Sequence, residues 1–465
     1  MIFLLDIIAL IVLFIYSGVL LIDEVEHLHA SYFISEGTLP YRDFFEHHHP
    51  LFLFLLTPLV AFLPQNSVLV LYVSRLLMTL FSIGTFYYLY KLAKDFLGDK
   101  TCALISILIF LSFYPTLYMF SIVKPDTLMH FFFACGLYYF FSYIKTLKAK
   151  PLIIAASALT LSFLFLQTAA FMIAPLGIIA LYVLYKNPAQ FKNFLYAAIL
   201  PILFIGAFTL YLYSTDSLKQ YFQLCWIFNS AFFSLLNFRL PSILSDFIIY
   251  ILLGYIAYGY LIFTKKTDFF VHALAFLLSF ALLKNIIYPN YYPRYLLPCF
   301  LYTSFLIAAA MKYAVSTAHN YLKAALVLIL AINITITFAL YNNRSSLKVL
   351  NLIKPEDSCL SFYANEQNIY QPLVSYYWYA PSISSVDDYL FNRHPEYDIT
   401  KLTEEQKFKY ILYNRIAYKQ KVPVPKENTE EKFKQTYDRH TIKDDVFKDY
   451  DFIGIDNIGI YKRKD

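Results

Sequence analysis

The stretch DEVEHLHASYFISEGTLPYRDFFEHHHPLF, residues 23–52, gathers six carboxylates, five histidines and one arginine between two strongly apolar runs. A carboxylate at the edge of an apolar medium loses solvation, which raises its pKa and makes it a better proton acceptor. Asp23 and Glu24, directly after the first apolar run, have that placement. A second acid, Asp126, stands in SIVKPDTLMHFFF, where Pro125 marks a helix start and the carboxylate falls in its first turn. Each has a plainer reading: interfacial anions ending a helix for Asp23 and Glu24, and the complement of a helix N-terminus for Asp126, a role that does not exclude the other. Cations accompany the acids, with Lys124 beside Asp126 and Arg294 next to Tyr292 in NYYPRYLLP. The planar fork of arginine suits phosphate, and a snorkelling arginine among tyrosines is the competing reading. His27 and His29 flank one residue, and His47, His48 and His49 are consecutive. None has HExxH or comparable spacing, so the histidines read as donors to an anion and no metal is expected.

Composition sets the medium in which these groups must be held. Of 465 residues, 59% are apolar, 20% aromatic and only 15% charged, too oily a balance for a soluble globular protein. The chain belongs in a bilayer. Its net charge of +6 is spread out, with no basic stripe carrying interleaved aromatics, so a nucleic-acid partner is set aside. Cys102, Cys135 and Cys299 sit in apolar runs, Cys225 in a polar loop and Cys359 in the tail, without paired spacing, and read as small buried hydrophobes. The first segment, IFLLDIIALIVLFIYSGVLLI, is too long for a removable signal peptide and lacks its basic front and cleavage site, so it reads as a retained helix.

Spanning helices need about 20 mostly apolar residues. Eleven candidates lie near 2–22, 68–91, 101–119, 126–145, 151–167, 169–186, 194–213, 243–264, 268–287, 295–312 and 321–341. The run LFLFLLTPLVAFLP at 51–64 is shorter and is bounded or broken by Pro50, Pro58 and Pro64, which suits an interfacial or re-entrant helix. With that run left out, alternate loops carry Lys91, Lys94 and Lys100, then Lys145, Lys148 and Lys150, then Lys186 and Lys192, then Lys265 and Lys266, then Lys312 and Lys323. The other loops carry fewer cations, and an excess of Lys and Arg marks the cytoplasmic side. The 23–66 loop, the KPD at 124–126, the QT at 167–168, the YPNYYPR at 288–294 and the tail are therefore expected together on the external face. Ionisable groups at a membrane edge are costly and mark a site. No GxGxxG or Walker loop is present to cradle a soluble nucleotide, so a phosphate-bearing donor is expected to arrive through the membrane.

A first helix ending in DE, the loop GTLPYRDFFEHHHPLFLFLL, a later KPD, the mid-chain FLFLQTAAFMIAPLG and the late PRYLLPCFLYTSFLIAAAM follow one another in this order. The series resembles the bacterial polyprenyl-phosphate-sugar-dependent membrane glycosyltransferases, relatives of the protein O-mannosyltransferases and of the lipid A aminoarabinose transferase. The likeness covers about residues 1–341. It implies a GT-C-like fold: an all-α polytopic membrane bundle of about eleven transmembrane helices, here followed by a small α/β extracytoplasmic domain at 342–465. It also implies Asp23 as the catalytic carboxylate, Glu24 as its paired acid and Asp126 as the acid of the second external loop. Where relatives often have a lysine before paired prolines, this chain has EHHHP, so His48 stands nearest the lysine position and His49 replaces the first proline. Gln167 stands where relatives often have Lys followed by Gln.

The reaction implied is a single, inverting displacement at the sugar's anomeric carbon, with no cofactor, on the outer face of a bacterial inner membrane. Asp23 takes the acceptor's proton while Arg294, Lys124 and His48 neutralise the departing lipid phosphate, with His49, Gln167 and Tyr292 as further substrate contacts. The partners expected are a polyprenyl-phosphate-linked sugar, a lipid, glycan or protein acceptor, and membrane lipids. A lipid-linked-sugar transporter or flippase is the alternative, but this chain shows neither repeated halves nor acids in mid-span. A polysaccharide-scaffold protein is a further one. In the tail, CLSFYA, FKYILYN and DFIGIDNIGIYKR read as strands, the last as a hairpin through the DN at 456–457, and EEKFKQTYD reads as a helix.

Overall fold

A computed structural model of the chain describes residues 22–120, 122–231, 242–287 and 293–313. Beyond them it describes residue 328 and the stretches 352–354, 356–361, 369–373, 376, 390–391, 407–414, 444–455 and 458–464. The described residues fall into two compact units. Those within Arg75–Tyr213 and Leu236–Leu340 form the first, and those within Tyr16–Ser74, Ser214–Leu235 and Tyr341–Asp465 form the second.

Helices dominate: α1 Ile22–Ser35, α2 Leu51–Phe62, α3 Ser67–Leu97, α4 Lys100–Leu111, α5 Tyr114–Met119, α6 Pro125–Thr146, α7 Ala149–Phe165, α8 Ala170–Lys186, α9 Phe191–Ser214, α10 Leu218–Phe222, α11 Ser242–Phe263, α12 Phe269–Ile287 and α13 Leu297–Met311. Every expected span between residues 68 and 312 falls on a helix. The 101–119 span is split into α4 and α5, because Pro115 lacks the N–H and crowds the carbonyl of Leu111 one turn earlier. Among the described residues six helices are long and apolar enough to cross a membrane, and α2, α4, α7 and Phe247–Phe263 are shorter apolar helices. The expected spans at 2–22 and 321–341 lie outside the described residues, so eleven stays an expectation. Asp23 and Glu24 lie in the first turn of α1, so the acid-rich stretch opens as a helix rather than a loop.

In the first unit the helices pack through small residues. A Cβ added at Gly136 of α6 would meet Leu159 Cγ of α7 at 2.7 Å, and one at Gly254 of α11 would meet Thr303 Oγ1 of α13 at 2.8 Å, close approaches of the kind small residues permit between membrane helices. Ser162 of α7 donates to the Met129 carbonyl of α6 at 2.8 Å. The lysine-bearing ends meet one another. Lys91 at the end of α3 lies 4.6 Å over the Tyr138 ring of α6, Asn193 of α9 donates to the Leu147 carbonyl after α6, and Lys266 after α11 lies 5.3 Å over Tyr313 after α13.

In the second unit α1 and α2 pack together, with Thr57 donating to the Ser31 carbonyl at 3.4 Å. Four strands, β1 Cys359–Ser361, β2 Tyr410–Asn414, β3 Tyr450–Ile455 and β4 Ile458–Arg463, form a sheet of order β1-β2-β4-β3. The first pair is parallel and the others antiparallel. The expected hairpin is present, closing at Ile455↔Ile458. Ile353, Cys359, Tyr410, Leu412 and Ile460 form the core of the sheet. The helix expected at EEKFKQTYD lies outside the described residues.

Candidate active site

Asp126 and Arg294 line one cavity of the first unit. The cavity is narrow, with about 40 Å³ open to the centre of a water-sized sphere, and is partly open to the surroundings. The chain builds its walls by turning three times at the same end of the helices. Pro125 at the first position of α6 starts that helix without needing an N–H, which puts Asp126 in the first turn and His130 one turn further in. A 3₁₀ turn at Gln167–Ala169 joins α7 to α8 and adds Thr168 and Phe171. Lys284 comes from the last turn of α12. Arg294 and Tyr295 come from the 3₁₀ turn Pro293–Leu296 that leads into α13, and Tyr302 from the second turn of that helix. Lys124, at the N-cap of α6, is buried. Burial, then the like charge of Arg294, push its ammonium well below the usual lysine pKa, and the opposite charge of Asp126 partly offsets them. Lys124 thus lies close enough to both Asp126 and Arg294 for their charges to act on it. Gln167 is buried in its turn. Tyr292 lies outside the described residues.

The remaining expected site residues belong to the second unit. Asp23 is half-buried and Glu24 fully buried on α1, together with Glu26, His27 and His29. His29 Nε2–H donates to the Gln371 carbonyl at 3.0 Å, and burial lowers its pKa from 6.5 to about 3. The three consecutive histidines have separate tasks. Glu46 Oε1 accepts from the main-chain N–H of His47 and His48, each at 2.8 Å, and lies 2.9 Å from His48 Nδ1. His49 is buried with Nε2 2.8 Å from the Tyr221 hydroxyl. A π-helical turn at Gln223–Phe228 brings further groups to the run. Just past it Asn229 donates to the His47 carbonyl at 2.7 Å. The Tyr41 hydroxyl donates to the His48 carbonyl at 2.6 Å, while Tyr41 itself holds φ 70°, uncommon for so large a residue. Burial disfavours the Glu46 carboxylate, and the bonds and charge of His48, with His47, outweigh it, so its pKa lies below the usual 4.5.

Glu26, Glu46, His47 and His48 present ligand atoms that all lie within 4.8 Å of one another. Carboxylate and imidazole together suit a divalent first-row ion, so this group could hold one. Sequence reasoning set metal aside because it looked for two histidines at helical spacing. Here one ligand comes from α1 and the others from the loop before α2. The crowding of acids and histidines in 23–52 was the available signal. His130, Lys284 and Tyr302 were also missed as cavity-lining groups, since each is a single polar residue in an apolar run.

Residues 48–215 match the family model described as dolichyl-phosphate-mannose-protein mannosyltransferase. No curated protein matches the chain. Among solved structures the chain is similar to ArnT from Cupriavidus metallidurans bound to undecaprenyl phosphate. The TM-score is 0.63 at 10% identity, over 99% of this chain and 97% of that one. It is also similar to apo ArnT from the same organism, with a TM-score of 0.60 at 10% identity over the same shares. At this identity the likeness is one of fold. The fold is similar to that of ArnT, a polytopic helical membrane bundle of the GT-C-like kind that the resemblance in the sequence implied.

Proposed function

We propose that the chain is an integral-membrane glycosyltransferase that moves a sugar from a polyprenyl-phosphate donor to a lipid, glycan or protein acceptor on the extracytoplasmic side of a bacterial inner membrane. The cavity of the first unit carries this reading. It gathers Asp126, Arg294 and Lys284 at the ends of membrane-spanning helices, where ionisable groups are costly and serve substrates. Two comparisons support the donor class: the family model names a dolichyl-phosphate sugar, and the solved ArnT is bound to undecaprenyl phosphate. A lipid carrier can be flipped across a bilayer whereas a nucleotide sugar stays in the cytoplasm, so an external site calls for such a donor.

The acceptor's hydroxyl or amine attacks the anomeric carbon from the face opposite the phosphate, inverting it. The bond to the phosphate oxygen breaks, its electron pair leaves with the lipid phosphate, and the acceptor's proton passes to Asp23. Arg294, Lys124 and His48 neutralise the leaving phosphate, and Glu24 or Asp126 stabilises positive charge developing on the sugar. His49, Gln167 and Tyr292 contribute hydrogen bonds to the donor. The membrane helices of 1–341 carry catalysis, and 342–465 forms the external domain.

Mass spectrometry of envelope glycolipids and glycoproteins from cells with and without this protein identifies sugar and acceptor together. With these in hand, Asp23→Asn is expected to lower transfer by about 10²–10⁴-fold in a protein that stays folded. Unchanged transfer removes Asp23 from the mechanism.

A further inference from the structure

The segment from residue 127 to residue 215 contains five lysines, Lys145, Lys148, Lys150, Lys186 and Lys192, and not one aspartate or glutamate. All five are exposed at the end of α6–α9 opposite the Asp126 cavity, and none makes an ion pair among the described residues. Asn193 of α9 donates to the Leu147 carbonyl at 3.2 Å, which brings the chain at Lys192 beside that at Lys148. Lys186 Nζ lies 5.7 Å from the centroid of the Tyr185 ring and Lys192 Nζ 5.6 Å from that of Tyr196. Such contacts hold an ammonium at headgroup level without neutralising it. The carboxylates at this end have tasks of their own: Asp99 and Asp268 cap α4 and α12, and Asp95 accepts from the Tyr138 hydroxyl.

Between the same helices runs an apolar groove. It leaves about 520 Å³ open to the centre of a water-sized sphere, against about 40 Å³ in the Asp126 cavity. Thr160 is the one polar side chain in its lining among the described residues, and its hydroxyl donates to the Ala156 carbonyl of its own helix. The groove extends from Leu152 to Phe163 on α7 and from Phe194 to Ile205 on α9. That is about 17 Å at 1.5 Å per residue, close to the depth of one leaflet of a hydrocarbon core about 30 Å thick. One mouth, at Leu152 and Phe194, lies within a turn of Lys150 and Lys192. The span that includes α9 is only 11% buried, the least of the six, so this wall of the groove has few protein neighbours.

We propose that one acyl chain of an anionic phospholipid fills this groove and that its phosphate sits among Lys148, Lys150 and Lys192, flanked by Lys186. Charge selects the headgroup, since lysines at a membrane surface attract anionic lipids and a zwitterionic one carries an ammonium that they repel. Depth selects a chain of the leaflet on the lysine-bearing side, which is the cytoplasmic one in the orientation proposed above. The lipid completes the packing of α9 at the end of the helices away from Asp126, so the site does not depend on the transfer reaction.

The test uses full-length protein in a neutral detergent and reads, by native mass spectrometry, the binding of phosphatidylglycerol and of phosphatidylcholine carrying the same palmitoyl and oleoyl chains. Wild type is expected to bind phosphatidylglycerol about tenfold more tightly than phosphatidylcholine, and the combined Lys148→Gln, Lys150→Gln and Lys192→Gln variant to bind the two within about twofold of each other. Gly177→Leu fills the groove, because a Cβ at Gly177 meets nothing within 4 Å, and it replaces a mid-helix glycine with a better helix former. It is expected to weaken both lipids by about tenfold. Melting temperatures without added lipid like that of wild type separate these effects from misfolding. Equal binding of the two lipids by wild type overturns the headgroup site, and phosphatidylglycerol binding that Gly177→Leu leaves intact overturns the groove. Displacement of the lipid by inorganic phosphate overturns it in favour of the free ion, and dimers that Gly177→Leu dissociates overturn it in favour of a second copy.

Discussion

A histidine inside a protein that never charges makes folding sensitive to acid, and His29 is placed to do this. In the folded state its pKa is lowered by burial from 6.5 to about 3. Between those values the unfolded chain binds the extra proton, so the stability His29 confers is complete above pH 6.5 and declines as pH falls through that window. Replacing His29 with Gln, which can still donate to the Gln371 carbonyl, is expected to flatten the dependence of melting temperature on pH between 6.5 and 4. An unchanged slope would assign it to other groups. Glu46 acts at lower pH. Its depressed pKa confers stability that is present above 4.5 and lost as pH falls through the folded value. The two windows overlap below pH 4.5, so the range from 6.5 to 4.5 reports His29 without Glu46. The tasks of the EHHH run were not legible in sequence. His49 pairs with Tyr221, 172 residues away, and hydrogen bonds between such distant residues leave no periodicity to read.

At the scale of elements, α2 decides how the chain is threaded. Its 12 residues give a length of about 18 Å at 1.5 Å per residue, against a hydrocarbon core of about 30 Å. Pro58 inside it removes one ladder bond. A helix so short does not cross unaided, so cysteines placed at Gly37 and Gln65, on either side of α2, are expected to react with an impermeant reagent from the same side of the membrane. Labelling from opposite sides would make α2 a span and reverse everything after it. Length and proline position made this helix legible in sequence. The contact of Gly254 with Thr303 was not, because a glycine in an apolar run says nothing about which helix it faces. A Cβ there would also lie 3.2 Å from Thr303 Cα, so Gly254→Ala is expected to cost about 1–3 kcal/mol, read as a lower melting temperature in detergent.

Across the whole molecule, the distribution of lysines predicted which helix ends would share a side. Within the first unit, the ends bearing Lys91, Lys145, Lys186 and Lys266 are opposite to those that line the Asp126 cavity. Alternation of charge along a chain records the direction of every crossing, so this much could be read without coordinates. The strands of the tail were legible for a similar reason, a period of two with turn residues between them. In a background lacking the five native cysteines, Lys148→Cys and Ile287→Cys are expected to label from opposite sides of intact membranes. Labelling from the same side would overturn the sidedness on which an external reaction depends.

The attachment of α1 to Gln371, 342 residues later, has a consequence for biogenesis. Phe45 is likewise tied through its N–H to the Tyr376 carbonyl, and the Tyr376 hydroxyl donates to the Tyr41 carbonyl. At ribosomal speeds of about 5–20 residues per second, the acid-bearing start of the polypeptide waits roughly 20–70 s for these clasps to be synthesised. A nascent chain therefore inserts its helices before these contacts can form.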